Sequence, residues 1–420
     1  MTAKILNRND SDLIIYIKYN YKMPKAKADA LDLKVELYDY IPHGKFQAGK
    51  MRLKFSGADA NTQFANAIGR IMMDRLPTYA FARELINVTR IDPASGYRDS
   101  VALNHDMITL MMKDIPVSKI DPGISYLHER FWKDVDYLSE DRQIHENEKR
   151  IELHLDIRNE SDEGTEDLLP VTTNEMQIYV EDELVELHDR EFPYVLMHLK
   201  PKEQVKLGAK AVLGIGLRDA CWGAACNYSI DTETEEGATL LMFRSASQYD
   251  EYVLMERALE YFKERIDLVA NMMHKSYLQE EDKTTEFVAM IEGEDHTIGV
   301  PLGYELQSHP DVIAASGTMP DNLEQRVRIM IVTDNPDRMV DIIKESAQNL
   351  IDKIEVVQKQ FDSIRKATYS TYHNDDGTSK FYDHSEVWNN DPSKSKSASS
   401  AKTASTAKTA KAAKTVKRRK

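Results

Sequence analysis

The spacing of apolar residues predicts an α+β fold made of two similar units in one chain, each closed by a long amphipathic helix. Three observations carry this. Across roughly 248–274, Tyr252, Met255, Leu259, Phe262, Ile266, Val269 and Met273 recur every three or four residues, which lays one apolar stripe along a helix. Across roughly 337–363, Val340, Ile343, Ala347, Leu350, Ile354, Val357 and Phe361 repeat that rhythm. Before each helix, period-two alternation marks strands.

From Leu33, Val35, Leu37 and Ile41 broadly alternate with polar residues, and a turn at Pro42–Gly44 leads to Met51, Leu53 and Phe55, set between Lys50, Arg52 and Lys54. A helix is expected over roughly 61–76, capped by Asn61 or Thr62, with Phe64, Ile68, Ile71 and Met72 on one face and Pro77 as its stop. Residues 78–226 read as a β-rich insertion: Ile151, Leu153, Leu155 and Ile157 alternate with polar residues, as do Met176, Ile178 and Val180, and Val205 to Ala211 runs into a turn at Gly214–Gly216. After a strand at 238–245 and the first long helix, the theme returns in smaller form: a strand at Phe287–Ile291, a helix at His296–Ser308, a hairpin of Val312–Thr318 with Arg326–Val332, then the second long helix. Two unbroken stripes need cover, and each covers the other if the helices pack along their length at about +20°. A linker of about ten residues, reaching at most about 33 Å, holds the two faces together.

Composition narrows the function. With 70 acidic against 55 basic residues in 420, the formal charge of -15 argues against a general nucleic-acid sleeve and favours docking on basic protein surfaces. Two cysteines, Cys221 and Cys226, exclude a disulfide framework and a four-cysteine zinc site. No signal-peptide layout and no apolar run of about 20 residues is present, so a soluble intracellular protein is expected. The stretch Ser393–Lys420 holds Ala, Ser, Thr, ten Lys or Arg and no acid, a composition expected to stay disordered. Its use is open between nucleic-acid contact, nuclear import through the terminal KRRK, and no partner at all. No Asp-Phe-Asp-Gly-Asp metal triad and no Gly-Lys-Ser/Thr phosphate loop occurs, so nucleotide transfer by two metals has no carboxylate set here.

Three segments resemble one family in that family's own order. ANAIGRIMMDRLP (Ala65–Pro77) resembles the Ala-Asn-Ala-Leu-Arg-Arg-Ile…Pro helix of the α-like RNA polymerase subunits: bacterial α, the archaeal D subunit and the third-largest subunit of eukaryotic RNA polymerase II. Leu199–Asp231 is similar to that family's Gly- and Ala-rich segment, with Ala209, Ala211, Gly214, Gly216, Ala220 and Trp222 in place, and LHLDIRNESDEG with PVTTNEM resembles its insert domain. EDHTIG (Glu294–Gly299), HPDV (His309–Val312) and the Pro320…Glu324 segment resemble the eleventh subunit of RNA polymerase II and archaeal L.

The resemblance implies a fusion of both partners, as some large DNA viruses encode: two α-subunit-like dimerisation units paired intramolecularly through the long helices. The divisions expected are an extension at 1–30, a first dimerisation domain at 31–80 plus 227–278, the β-rich insert at 81–226, a second dimerisation domain at 284–366, and a basic tail at 371–420. It implies a non-catalytic assembly platform for the two large catalytic subunits, with small polymerase subunits as further partners, DNA met only through the complex, no membrane and no homodimer. No cofactor or metal is implied, since the metal-binding cysteines of some relatives are absent. A viral source implies a viral factory in the host cytoplasm or the virion, with the nucleus as the other site. The alternative reading is a structural coiled-coil homodimer unrelated to transcription.

By resemblance, Arg70 inherits the docking of a large subunit, because the family's paired arginines are Gly69-Arg70 here; the other reading is a solvated helix charge. Trp222, with Gly214 and Gly216, is either a partner anchor or core of the insert. A dinucleotide loop at Gly214–Gly216 lacks its third glycine and acidic partner. Cys221 and Cys226 are expected as small buried apolar groups, and His296 as a helix cap. Pro301 and Gly303, where relatives carry helix formers, lead to the expectation of a helix that starts late or is distorted.

Overall fold

The computed structural model describes residues 31–42, 49–118, 120–188, 190, 193–233, 237–246, 248–280, 284–321 and 324–372. The extension 1–30, most of the Pro42–Gly44 turn, and the basic tail beyond residue 372 lie outside the described residues.

In chain order the elements are β1 (Lys34–Ile41), β2 (Lys50–Ser56), α1 (Thr62–Arg70) with a π-helical turn at Ile71–Arg75, β3 (Pro77–Thr89), α2 (His105–Lys113), β4 (Ile151–Arg158), β5 (Leu169–Thr172), β6 (Gln177–Val180), β7 (Glu183–Leu184), β8 (Val195–Leu199), β9 (Gln204–Ile215), β10 (Ala225–Glu233), β11 (Ala238–Ser245), α3 (Glu251–Leu278), β12 (Glu286–Glu292), α4 (His296–Gln307), β13 (Ala314–Thr318), β14 (Arg326–Val332) and α5 (Met339–Tyr372). Helices and strands mix in every part of the chain, an α+β class.

The first sheet has the order β1-β2-β11-β10, so distant residues such as Met51 and Phe243 become neighbours. All its pairings are antiparallel. The alternation read in β2 is realised: Met51, Leu53 and Phe55 are 0–1% exposed while Lys50, Arg52 and Lys54 face outward. The other face of this sheet is covered by α1 and α3. A smaller sheet, β12-β14-β13, carries α4, while α3 packs against its β12 strand and α5 lies across α3 and α4. Its inner face is Phe287, Ala289, Ile291, Val327, Ile329 and Ile331, all at 2% exposure or less. These two groups share one continuous core.

The insert has its own core, under the sheet β3-β9-β4-β6-β7 and the β5-β8 pair. Several elements went unread in the sequence, among them β3, β10 and α2. β3 begins at Pro77 itself, β10 is a mostly exposed edge strand, and α2 is a short helix within the insert. The helix expected at 61–76 is α-helical only to Arg70 and then widens into a π-turn. α4 corrects another expectation. It starts at His296 with Pro301 inside it, neither late nor broken. Its glycines serve the sheet instead: a Cβ on Gly303 would stand 2.5 Å from the Gly317 backbone nitrogen, and one on Gly299 would stand 2.3 Å from Val327.

Candidate functional site

The largest feature built by residues singled out in the sequence is the seam between α3 and α5. Tyr252, Met255, Leu259, Phe262, Ile266, Val269 and Met273 are all 0% exposed, and Ile343, Ala347, Leu350, Ile354, Val357 and Phe361 are 4% or less. The helices run antiparallel. The Tyr252 ring lies 5.9 Å from that of Phe361, and the Tyr252 hydroxyl is 2.8 Å from that of Thr368. Lys263 Nζ meets Glu355 at 2.7 Å, Arg365 pairs with Glu256, and the Tyr277 hydroxyl donates to the Pro336 carbonyl at 2.7 Å near the far end. Val340 departs from the expected stripe: it is only half-buried, and Met339 and Ile342 are the 0% residues of that turn.

Hydrogen bonds extend the contact past the helices. The Gln360 amide accepts from Val35 N at 2.6 Å and donates to Leu33 O at 2.8 Å, so α5 grips the edge strand β1 as a neighbouring strand would. Lys353, with a side chain 7% exposed, reaches Glu305 on α4 at 2.8 Å and Asp59 of the β2–α1 loop at 3.1 Å.

A second cluster lies where the π-turn meets the start of α4. Asp295 caps α4 by accepting from Thr297 N at 2.7 Å, and it also takes Arg75 at 2.7 Å. Expected capping by His296 is therefore corrected: His296 is the first helical residue and exposed, and its neighbour Asp295 is the cap. Arg265 on α3 pairs with Glu294, whose side chain is 1% exposed. Burial raises the Asp295 pKa, but Arg75 and the Thr297 hydrogen bonds outweigh it and hold the carboxyl below the ordinary value. Glu294 goes the other way: burial raises it despite Arg265 and Arg75. For Arg75, burial opposes the charge, while Tyr261, Asp295 and Glu294 together raise its pKa. The π-turn aims Arg75 inward.

Arg70 sits at this junction. Its Nε donates to the Thr297 hydroxyl at 3.1 Å, its guanidinium is 3.7 Å from Asp295, and a third of its side chain is exposed. The structure thus ties Arg70 to the chain's own second half. Gly69, where the family pattern has arginine, is the place where Tyr228 crosses the helix: a Cβ there would stand 2.4 Å from the ring.

Trp222, Gly214 and Gly216 form one buried knot. Trp222 is 3% exposed and its Nε1 donates to Val212 O at 2.9 Å, so it offers no face to a partner. Gly214 lies within β9 and not in a turn; its missing side chain leaves the space the indole fills, with a Cβ falling 2.7 Å from it. At Gly216 a Cβ would come 2.2 Å from the Met73 carbonyl of the π-turn. These glycines allow close approach rather than phosphate binding. The expectation of two buried thiols is corrected too: Cys221 is half-buried, its pKa pushed up to about 12 by burial, and Cys226 is exposed.

Arg75, Arg265, Glu294, Glu305 and Lys353 were missed in the sequence. The available signal was position. Arg265, Glu305 and Lys353 each immediately precede a fully buried apolar residue of a helix, Ile266, Leu306 and Ile354. Among the described residues no cluster of three or more His, Cys, Asp or Glu is placed to hold a metal ion, and no helix is long and apolar enough to cross a membrane.

The seam, the ion clusters and the shared core define a protein whose chemistry-bearing residues are spent on joining parts of a chain to each other. Comparison with known proteins shows what the chain is similar to. Residues 286–360 match the RNA polymerase Rpb3/Rpb11 dimerisation domain. Over 299 residues the chain is 24% identical to a protein of Acanthamoeba polyphaga mimivirus named as a DNA-directed RNA polymerase subunit, R470, covering 67% of this chain and 82% of that one. A Caenorhabditis briggsae protein named as RNA polymerase II subunit RPB11 is 28% identical over 99 residues, 23% of this chain and 81% of its own. RPAC2 of Saccharomyces cerevisiae, a subunit of RNA polymerases I and III by name, is 32% identical over 81 residues, 19% of this chain and 56% of its own. The chain is thus similar to RNA polymerase subunits of the Rpb3/Rpb11 type, and its similarity to the viral relative extends over most of its length.

Proposed function

We propose that this chain is the non-catalytic assembly platform of a multisubunit DNA-directed RNA polymerase, holding both α-like units in one polypeptide and docking the two large catalytic subunits. The first dimerisation domain is 31–80 with 227–278, the second 284–366, and the insert 81–226. The observation that carries the reading is the seam: two apolar stripes, one from each unit, are buried against each other within a single chain. Covered seams leave little reason for a homodimer, because the surface that would drive it is already used. Assembly is then the mechanism, since a preformed surface lowers the ordering cost of bringing large chains together. Arg70, a third exposed beside the α4 cap, contributes to docking, and Trp222, Gly214 and Gly216 act only by shaping the fold around it.

Purification of the full chain from its native source, followed by identification of its companions and native mass measurement of the isolated chain, tests this. The expected result is capture of two large polymerase subunits and a monomeric isolated chain. A symmetric homodimer, or capture of no polymerase subunit, overturns it. Arg70→Ala is expected to weaken capture while leaving the isolated chain folded; unchanged capture removes Arg70 from the docking set.

A further inference from the structure

We propose that the outward face of the first sheet, centred on Lys50, Arg52 and Arg244, is a docking site for an acidic segment of another polypeptide. The inference does not depend on which complex the chain joins.

The protein as a whole is acidic, yet here cations converge. The register places Phe243 opposite Met51, so Arg244 on β11 stands across from Lys50 on β2, and Arg52 is the next outward residue of β2. Like charges directly opposite each other in a sheet are destabilising. Arg52 has one acid, Asp39, at 2.9 Å. Among the described residues, neither Lys50 nor Arg244 has an ion pair. Burial, with Arg52 and Arg244 alongside, holds the Lys50 pKa below its ordinary value despite Asp39. An independent observation agrees. The Nε atoms of Arg52 and Arg244 are both buried without an acceptor, and buried donors without acceptors are rare in finished structures. One carboxylate-bearing strand over this corner would supply both charge and acceptors.

The same face distinguishes a peptide from a nucleic acid. Leu240 and Met242 stand half-buried among the cations, opposite Lys54 and Arg52. Glu36 and Asp39 on β1 and Asp231 on β10 fringe both edges of the sheet. A continuous phosphate backbone crossing the face would meet those acids, whereas alternating acidic and apolar side chains would match it.

The test uses the full chain and a fluorescent synthetic peptide of alternating Glu and Leu, with a single-stranded oligonucleotide of equal charge as competitor. The expected results are salt-sensitive peptide binding, at least about tenfold weaker in Lys50→Glu/Arg244→Glu, and little displacement by the oligonucleotide. Lys50→Gln/Arg244→Gln serves as a milder pair. It is expected to melt no lower than the parent, because it relieves repulsion, and still to bind the peptide several-fold more weakly. Equal binding by parent and variants, or preference for the oligonucleotide, overturns the proposal.

Discussion

The two sheet-and-helix halves follow one plan and differ on the side facing away from their helices. In the first, β2 and β11 turn Lys50, Arg52, Lys54, Leu240 and Met242 outward, with cations in the majority on β2; in the second, β12 and β14 turn Val288, Met290, Met330 and Val332 outward in the middle, with Glu286, Glu292, Arg326 and Arg328 around them. Their inner faces are alike, a solid apolar layer under helices. They also differ in how the shorter helix meets its sheet. α4 presses its glycines against the Gly317 backbone of β13, whereas α1 meets its sheet through Gly69 against the Tyr228 side chain and is followed by a π-turn that carries Arg75 toward α4. The lesson is that the apolar side of each half is constrained by the need to bury the other, while the far side is free to take on charge or apolar character.

The shared side should be the more fragile. Ile266→Asp or Ile354→Asp buries an unpaired charge at a 0% exposed position, and each is expected to cost about 4 kcal/mol or more in denaturant unfolding. Because both halves share the core, both should lose structure in one transition. Loss confined to the mutated half would break the comparison. Next in size is Lys353→Ala, which strands Glu305 beneath α5 and is expected to cost about 3 kcal/mol. Lys353→Met with Glu305→Leu should recover most of it, since replacing both members of a buried pair removes the unpaired charge. Recovery is read from the same unfolding curves.

Gly303→Ala tests the difference in helix–sheet contact. Its Cβ meets backbone rather than a flexible side chain, and a loss of about 2 kcal/mol is expected. Asp295→Asn keeps an acceptor for Thr297 but drops the charge facing Arg75, for a loss of about 1.5 kcal/mol. The sign with pH follows from the depressed folded pKa. The stability from Asp295 is full above its unfolded value of 3.8 and is lost as pH falls through the lower folded value. Glu294, raised by burial, contributes oppositely: its ionisation penalty is relieved as pH falls from its folded value toward 4.5. Acid unfolding of Asp295→Asn should therefore be less steep than that of the parent below about pH 4. Smallest of all, Met290→Lys on the exposed outer face (41% exposed) should move stability by no more than about 0.5 kcal/mol. A larger loss would mean that face is packed.

Much of this was legible. Period-two runs at 50–56, 151–158 and 286–292 became strands, and the stripes of α3 and α5, Val340 apart, became buried rows. Those patterns are local, and burial of one face is what writes them. β3 and β10 were not legible, because β3 is buried on both sides for half its length and so does not alternate, and β10 is an exposed edge with little apolar signal. Trp222 was readable as important, but the sequence left it open between a partner anchor and core, since the indole fits any dry space with an acceptor for its N–H.

The sequence by itself determined the strongly periodic elements, their apolar faces and the need for two long stripes to be covered, because these follow from side-chain periodicity along a single segment. Only the tertiary structure decided that β11 lies beside β2, that Asp295 takes Arg75 while Arg70 reaches Thr297, and that Gly214 makes room for Trp222. Each of those depends on distances between segments far apart in the chain, set by packing that no local pattern encodes.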